Sequence, residues 1–472
     1  VIGAVLFASF FVLLLLGVPV AFALGVAACV ALVAMGGFTE LSLVPNVFTA
    51  SVSSETLLAI PFFILAGVIM EYAGISRRLV DFAHACVGGR KHGLAIVVVL
   101  AAFFFSAISG SGPATVAAIG TILIPALMRH GYRARHATSL LATAGSMGLI
   151  VPPSVAFIIF AVVVSDFEGV SIVRLFVAGI IPGILLAAAL MIASLFLPRR
   201  QVAAPARVGV GGGGGADTES GAGGDGSDGT EGPGGSGVDG GGGAALESDE
   251  PARGFGASLV KAIPGLLVPL IILGGIYGGI VTPTESAVVA AAYALIVGLL
   301  VYREIQLRQL YRILVTASAQ SAVIMLIVGA ASVFAYVVTA NEIAESISAA
   351  LLGLTDSRAL IVLLAIVLLL IVGAFIDAVS ALYLFVPVIA PVLLAAGVDV
   401  TTIGVLMVVN LALGLVTPPV GVNLFVAAGI ARVPLVEVVK GIRPFFLAGL
   451  AVVLLVAYVP ALSNWLPDLL GF

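Results

Sequence analysis

Charge is scarce in this chain. Asp, Glu, Lys and Arg make up 9% of its 472 residues, against roughly 25% in an ordinary globular chain. Cysteine occurs only at Cys29 and Cys86, which excludes a disulfide framework or a cysteine metal site and leaves both as small apolar packing residues. No G-x-x-x-x-G-K-[ST] phosphate loop and no HExxH pair is present, so an ATP-driven motor and a zinc-dependent intramembrane enzyme both lack their motif. Segments of about ten alternating residues, the mark of a membrane β-barrel, are also missing. The net charge is −4, with most of the acid in one stretch, which offers nothing to a nucleic acid.

What fills the chain instead is apolar surface, 61% of all residues. It comes in successive runs of about 20, the length that crosses a hydrocarbon core of about 30 Å. The fold class is therefore an all-α polytopic membrane protein. The first run has no basic segment before it and reads as a membrane helix rather than a signal peptide. One stretch does not fit the bilayer: residues 201–252, with "GVGGGGGADTESGAGGDGSDGTEGPGGSGVDGGGG". It cannot bury enough surface to fold, and as a flexible coil it spans roughly 40 Å. We read it as a disordered cytoplasmic linker between two membrane halves, 1–200 and 253–472.

The halves repeat. A shift of 266 carries Gly148 onto Gly414, Leu149 onto Leu415, Pro152 and Pro153 onto Pro418 and Pro419, Pro125 onto Pro391 and Gly131 onto Gly397. Pro19 meets Pro283 at a shift of 264. Matches concentrated in Gly and Pro mean repeated backbone breaks rather than repeated greasiness. Arg77, Arg78, Arg90 and Lys91 precede the stretch from Gly93, and Arg129, Arg133 and Arg135 follow it. Both flanks are cytoplasmic by the positive-inside rule. Two crossings need about 40 residues plus a turn, more than this stretch holds, so a re-entrant hairpin over about 93–130 is expected. Its counterpart at about 358–398 has no basic excess and reads external. The halves are then inverted, the architecture of a secondary transporter.

Each half holds two interruptions: Ser109, Gly110, Ser111, Gly112 and Pro113 with "GLIVPPS", then "IDAVSAL" with "GLVTPPVGVN". Irregular backbone at membrane depth survives only inside protein or beside a wet cavity. Paired prolines free carbonyls upstream, ready to bind a cation, and helix starts after a break suit an anion. A proline kink that merely shapes a bundle is the alternative for any one break. Asp377 in mid-hairpin costs at least about 2.5 kcal/mol to insert; it either binds a cation or substrate or caps the following helix, and both roles are compatible. Glu285 in "TPTES" reads as a helix cap. Asn341, Glu342 and Glu345 read as a solvated edge, and His84, His92, His130 and His136 as surface residues.

The stretches "LLAIPFFILAG", "FFFSAISGSGPATVAAIGTILIPALMRHGY", "GLIVPPS", "GGIYGGIVTPTESA" and "LGLVTPPVGVNLFVAAGI" resemble the large membrane subunit, the DctM type, of tripartite ATP-independent periplasmic (TRAP) transporters. The resemblance covers both halves; the Gly-rich insert departs from it. It implies an ion-transporter superfamily fold, an elevator mechanism and no cofactor beyond Na+ as coupling ion. It also implies a small four-helix membrane subunit (DctQ type), expected as a separate chain, and an extracytoplasmic binding protein (DctP type). That protein delivers a carboxylate such as a C4-dicarboxylate or sialic acid across the inner membrane. By motif, the first sodium site involves Ser109, Gly110, Ser111 and Gly112 with Pro152, Pro153 and Ser154. The second involves Asp377 and Ser380 with Thr417, Pro418, Pro419 and Gly421. Substrate is expected between the tips, near Ser111, Pro113, Asp377, Ala381 and Asn423. A self-sufficient sodium/anion symporter of the same superfamily is the alternative. A channel fits less well, since channels build pores by rotational symmetry, and an enzyme lacks a second acid beside Asp377.

Overall fold

The computed structural model describes residues 2–87, 93–165, 167–198, 255–355 and 357–472; the linker reading, His92 and the basic residues Arg90 and Lys91 lie outside them. The first half runs α1 (Ile2–Leu15), α2 (Val20–Gly36), α3 (Leu43–Val52), α4 (Ala59–Tyr72), α5 (Ile75–Val87), α6 (Gly93–Ser109), α7 (Gly112–Arg129), α8 (Ala134–Gly145), α9 (Val155–Val164) and α10 (Ile172–Leu195). The second runs α11 (Phe255–Tyr277), α12 (Pro283–Ile296), α13 (Leu307–Ala340), α14 (Ile343–Leu354), α15 (Arg358–Phe375), α16 (Ala378–Ala395), α17 (Val400–Gly414), α18 (Val422–Ala431), α19 (Leu435–Tyr458) and α20 (Ala461–Leu470). Raising the numbers by 266 carries Gly112–Arg129 onto Ala378–Ala395 and places Ala134 on Val400. The element order of the two halves therefore matches, except that α13 is one helix of 34 residues where the first half breaks between α3 and α4, and that α20 has no counterpart among the described residues of the first half.

Local chemistry explains the boundaries. Pro19, Pro113 and Pro283 stand at or just before helix starts, where the missing N–H costs nothing. Gly131 and Gly397 end α7 and α16 at φ of 87° and 79°, a left-handed turn that a side chain would resist. Glu285 forms a capping box with Thr282, whose hydroxyl accepts from the Glu285 N–H, as its sequence position suggested.

Packing divides the helices into a frame and a core. In the frame α4 lies on α12, and α13 on α2, α3 and α4. In the core α8 packs on α19, α7 on α18 and α8, α15 on α17, and α16 on α9. The two groups meet directly, α13 on α16 and α4 on α6, and also through two short helices: α5 touches α11 and α6, and α14 touches α13 and α16. At the α5 joint the Arg78 guanidinium sits 3.8 Å above the Tyr302 ring and pairs with Glu304 at 2.6 Å. Residues 141–160 and 401–416, which contain most of the two interrupted helices, are buried throughout. Nine helices among the described residues are long and apolar enough to cross a membrane. The protein is a polytopic membrane protein.

Two surface and packing expectations need correction. His136 is buried, 8% exposed, because α8 packs against α7 and α19 at its start; His84 and His130 are exposed as expected. Cys86 is exposed on α5 and not packed, whereas Cys29 is half-buried. Glu342 and Glu345 are exposed and Asn341 partly so.

Candidate functional site

The first hairpin turns within two residues. Ser109 ends α6, and Gly110 takes φ 60° with its N–H on the Ser106 carbonyl at 3.2 Å. Ser111 is extended, and α7 starts at Gly112 with Pro113 in its first turn and no side-chain cap. A ring of oxygens closes the tip. The Ser109 and Thr115 hydroxyls lie 2.8 Å apart, and both donate to the Ser111 carbonyl, at 3.2 and 2.9 Å. Thr115 escaped the sequence reading; its signal is a hydroxyl one helical turn after Ser111.

The tip sits against the first break. A Cβ on Gly148 would lie 2.6 Å from the Ser111 carbonyl oxygen, and one on Gly110 would lie 3.5 Å from that of Pro153. Only glycine permits such an approach at position 148. Beyond α8 the chain makes a short 3-10 turn, Ser146–Leu149, then a cis Pro152–Pro153 bond. The Ser154 hydroxyl donates to the Leu149 carbonyl at 2.5 Å, so an oxygen freed by the proline pair is satisfied by a neighbouring side chain. Pro152, Pro153 and Ser154 are all buried.

The second hairpin turns at Ile376 and Asp377. Asp377 caps α16: Oδ1 accepts from the Val379 and Ser380 N–H groups at 3.0 and 3.1 Å, and Oδ2 from the Ser380 hydroxyl at 2.5 Å. Ala381 follows, fully buried, its N–H on the Asp377 carbonyl at 2.9 Å. The second break is cis at Pro418–Pro419, with the Thr417 hydroxyl donating to the Leu413 carbonyl at 2.9 Å. Ala374, rather than Asp377, joins hairpin to break: its carbonyl accepts from the Val420 and Gly421 N–H groups at 3.3 and 3.4 Å. The two backbones also touch at Gly373 and Gly414, where a Cβ on Gly414 would meet the Gly373 Cα at 2.7 Å.

Asn423 links the two systems. It stands in the first turn of α18, fully buried, and Nδ2 donates to the Ala142 carbonyl at 3.1 Å and the Ser146 hydroxyl at 3.2 Å. Its Oδ1 has no hydrogen-bond partner among the described residues, although buried acceptors are nearly always paired. A Cβ on Gly112 would lie 3.2 Å from both of its amide atoms. The starts of α7 and α18, neither with a side-chain cap, therefore meet here. Two helix N-termini side by side concentrate positive potential. Ser109, Gly110, Ser111, Gly112, Pro113 and Asn423 thus form one neighbourhood with Pro153 and Ser154, and Asp377, Ser380 and Ala381 form a separate cap. Sequence reasoning missed Thr115, Ser146 and Ala374; the last acts through its carbonyl and leaves no mark in the sequence.

The family model described as "Tripartite ATP-independent periplasmic transporter, DctM component" matches residues 7–462. The chain is 38% identical over 458 residues to the isethionate TRAP transporter permease protein DctMQ of Oleidesulfovibrio alaskensis. That match covers 97% of this chain and 65% of the relative, so the chain spans about two thirds of that protein's length. It is 36% identical over 417 residues to the C4-dicarboxylate TRAP transporter large permease protein DctM of Pseudomonas aeruginosa, covering 88% and 87% of the two chains. The crystal structure of the Alcanivorax borkumensis YdaH transporter shares the fold, with a TM-score of 0.59 at 15% identity and 98% coverage of both chains. Broken helices packed in pairs, a buried asparagine between them and a family match over nearly the whole chain agree on a transport protein of the inner membrane, and the chain belongs to the DctM-type large permease family of TRAP transporters.

Proposed function

We propose that this chain is the membrane permease of a sodium-coupled uptake system for a small organic acid. The meeting of the uncapped α7 and α18 starts at Gly112 and Asn423 carries the reading. Helix N-termini are ready-made anion sites. Isethionate and C4-dicarboxylate, named for two relatives, are both small organic anions, which supports this substrate class.

Sodium binds at two oxygen-rich tips. The first is formed by Ser109, Gly110, Ser111 and Gly112 with Pro152, Pro153 and Ser154, and Thr115 joins it. The second is formed by Asp377 and Ser380 with Thr417, Pro418, Pro419 and Gly421. Two sodium ions crossing with a monovalent acid carry one net charge, worth about 2.3 kcal/mol per 100 mV. The halves are inverted repeats with re-entrant hairpins, and the core moves past the frame as an elevator, α5 and α14 serving as its arms. The exposed Pro418 and Pro419 border a wet cleft, because irregular backbone is not tolerated against lipid. Partners are a small DctQ-type membrane subunit and an extracytoplasmic DctP-type binding protein that delivers the acid.

The test is uptake of labelled carboxylates and sulfonates into proteoliposomes holding this chain and its small subunit. Binding protein and an inward sodium gradient are each present or absent. Uptake that needs both supports the reading. Sodium-driven uptake without binding protein replaces it with a self-sufficient symporter, and uptake indifferent to sodium removes the coupling.

A further inference from the structure

The last helix of the chain has no part in this chemistry, yet it is tied to the core by a dense polar network. Arg174, at the start of α10, donates from Nε to the Thr401 hydroxyl at 2.9 Å. Its Nη2 reaches the Asn464 Oδ1 at 3.2 Å and Asp468 Oδ1 at 2.7 Å, and Nη1 donates to the Phe472 carbonyl. Asn464 in turn donates to Asp399 Oδ1 at 3.1 Å and the Thr402 hydroxyl at 3.0 Å. Ser463 and Pro467 are buried on the same side. One side of α20 is thus held on α10 and α17.

The other side is apolar and open. Trp465 is 59% exposed and Leu469 65%. This surface continues that of α19, where Leu455, Tyr458 and then Val459 are exposed. The link between the helices is only Val459 and Pro460, so α20 starts where the 24-residue span of α19 ends. Ten residues make about 15 Å of helix, half of what a crossing needs. Such a helix, polar on one side and carrying Trp and Leu on the other, lies in the plane of the headgroup boundary. Tyr458 at the end of α19 fits the same level, where Trp and Tyr concentrate.

We propose that α20 is an interfacial helix that rests its Trp465–Leu469 side in the headgroup boundary of the bilayer and is carried by the core through the Arg174 network. That this is the outer boundary rests on the orientation in the preceding reading; the placement in depth does not.

Trp465 is the single tryptophan of the chain, so its emission reports on α20 alone, with Trp465→Phe as the blank. The full chain is reconstituted into vesicles of phosphatidylcholine brominated at defined acyl positions. Trp465 loses most emission to bromines next to the headgroup and least to bromines at the chain end. Greatest loss to the deepest bromines overturns the proposal, and so does quenching by aqueous iodide with none by any lipid, which makes the face a water-exposed or protein-docking surface. The network is tested by Asn464→Ala with Asp468→Asn, both on α20 and outside the proposed ion and substrate sites. The expected result is a fall in Trp465 anisotropy with the depth profile kept; unchanged anisotropy overturns the role of the network. Neither readout depends on transport, so failure here and failure of the sodium-coupled reading are distinguishable.

Discussion

At the tip of the first hairpin α7 begins at Gly112 and Pro113 without a side-chain cap, and three oxygens close the turn behind it. At the matching tip of the second, Asp377 spends both carboxylate oxygens on the start of its own helix, α16. The breaks differ as well: Pro152 and Pro153 are buried, Pro418 and Pro419 exposed. The same backbone interruption therefore serves opposite electrostatics. The first unit leaves a positive helix end free to face Asn423, and the second neutralises its own with a fixed negative charge. The two units share backbone geometry and differ in charge, because Gly and Pro set the turn while one capping residue sets its sign.

Several changes break or sharpen this contrast. The largest effect is expected from Asn423→Asp, which puts a negative charge beside the two uncapped helix starts. Like charges brought together cost several kcal/mol, so uptake falls by about a hundredfold or more, while Asn423→Gln retains a measurable rate. Uptake of the Asp variant at wild-type rate would remove the anion site from this position.

Gly148→Ala and Gly414→Ala ask whether the two units are equally intolerant. Each Cβ meets backbone at 2.6 to 2.7 Å, and overpacking of that kind costs about 1–3 kcal/mol, read as a lower melting temperature in detergent. A loss in one and not the other would show that only one contact is rigid.

Asp377→Ala and Ser111→Ala occupy the same register and should behave differently. Losing the cap costs about 0.5–2 kcal/mol, and sodium-driven uptake is lost with it. Ser111→Ala leaves stability within about 0.5 kcal/mol, because its hydroxyl caps nothing. Equal melting shifts would contradict the asymmetry. Thr115→Val removes one hydroxyl from the first tip, for about 1 kcal/mol of stability, and weakens the sodium dependence of uptake without changing that of the second site. The smallest effect is expected from shortening residues 201–252 to about a dozen residues, a length that still lets the two halves be joined. Transport lost in a well-folded deletion would give the segment a role beyond joining the two units.

Much of the fold was legible because its breaks are local. Paired prolines, Ser-Gly-Ser-Gly and Gly131 against its partner 266 residues on mark where helices stop, whereas Pro125 and its partner Pro391 lie inside α7 and α16. The Asp377 and Glu285 caps were legible for the same reason, since a cap bonds within three residues. Thr115 was visible in the sequence but indistinguishable from any other helical threonine.

The sequence by itself thus determined a polytopic helical chain, the positions of its four interruptions and the caps that start α12 and α16, because each depends on neighbours within one helical turn. The tertiary structure decided what those interruptions face. Ala374 meets the second break, Asn423 reaches Ala142 and Ser146 across 277 to 281 residues of chain, and His136 is buried beneath α7 and α19. It also decided that the second proline pair is exposed and the first is not. Those outcomes follow from how separately formed helices pack, and a backbone carbonyl or a burial level carries no residue type by which a sequence could announce it.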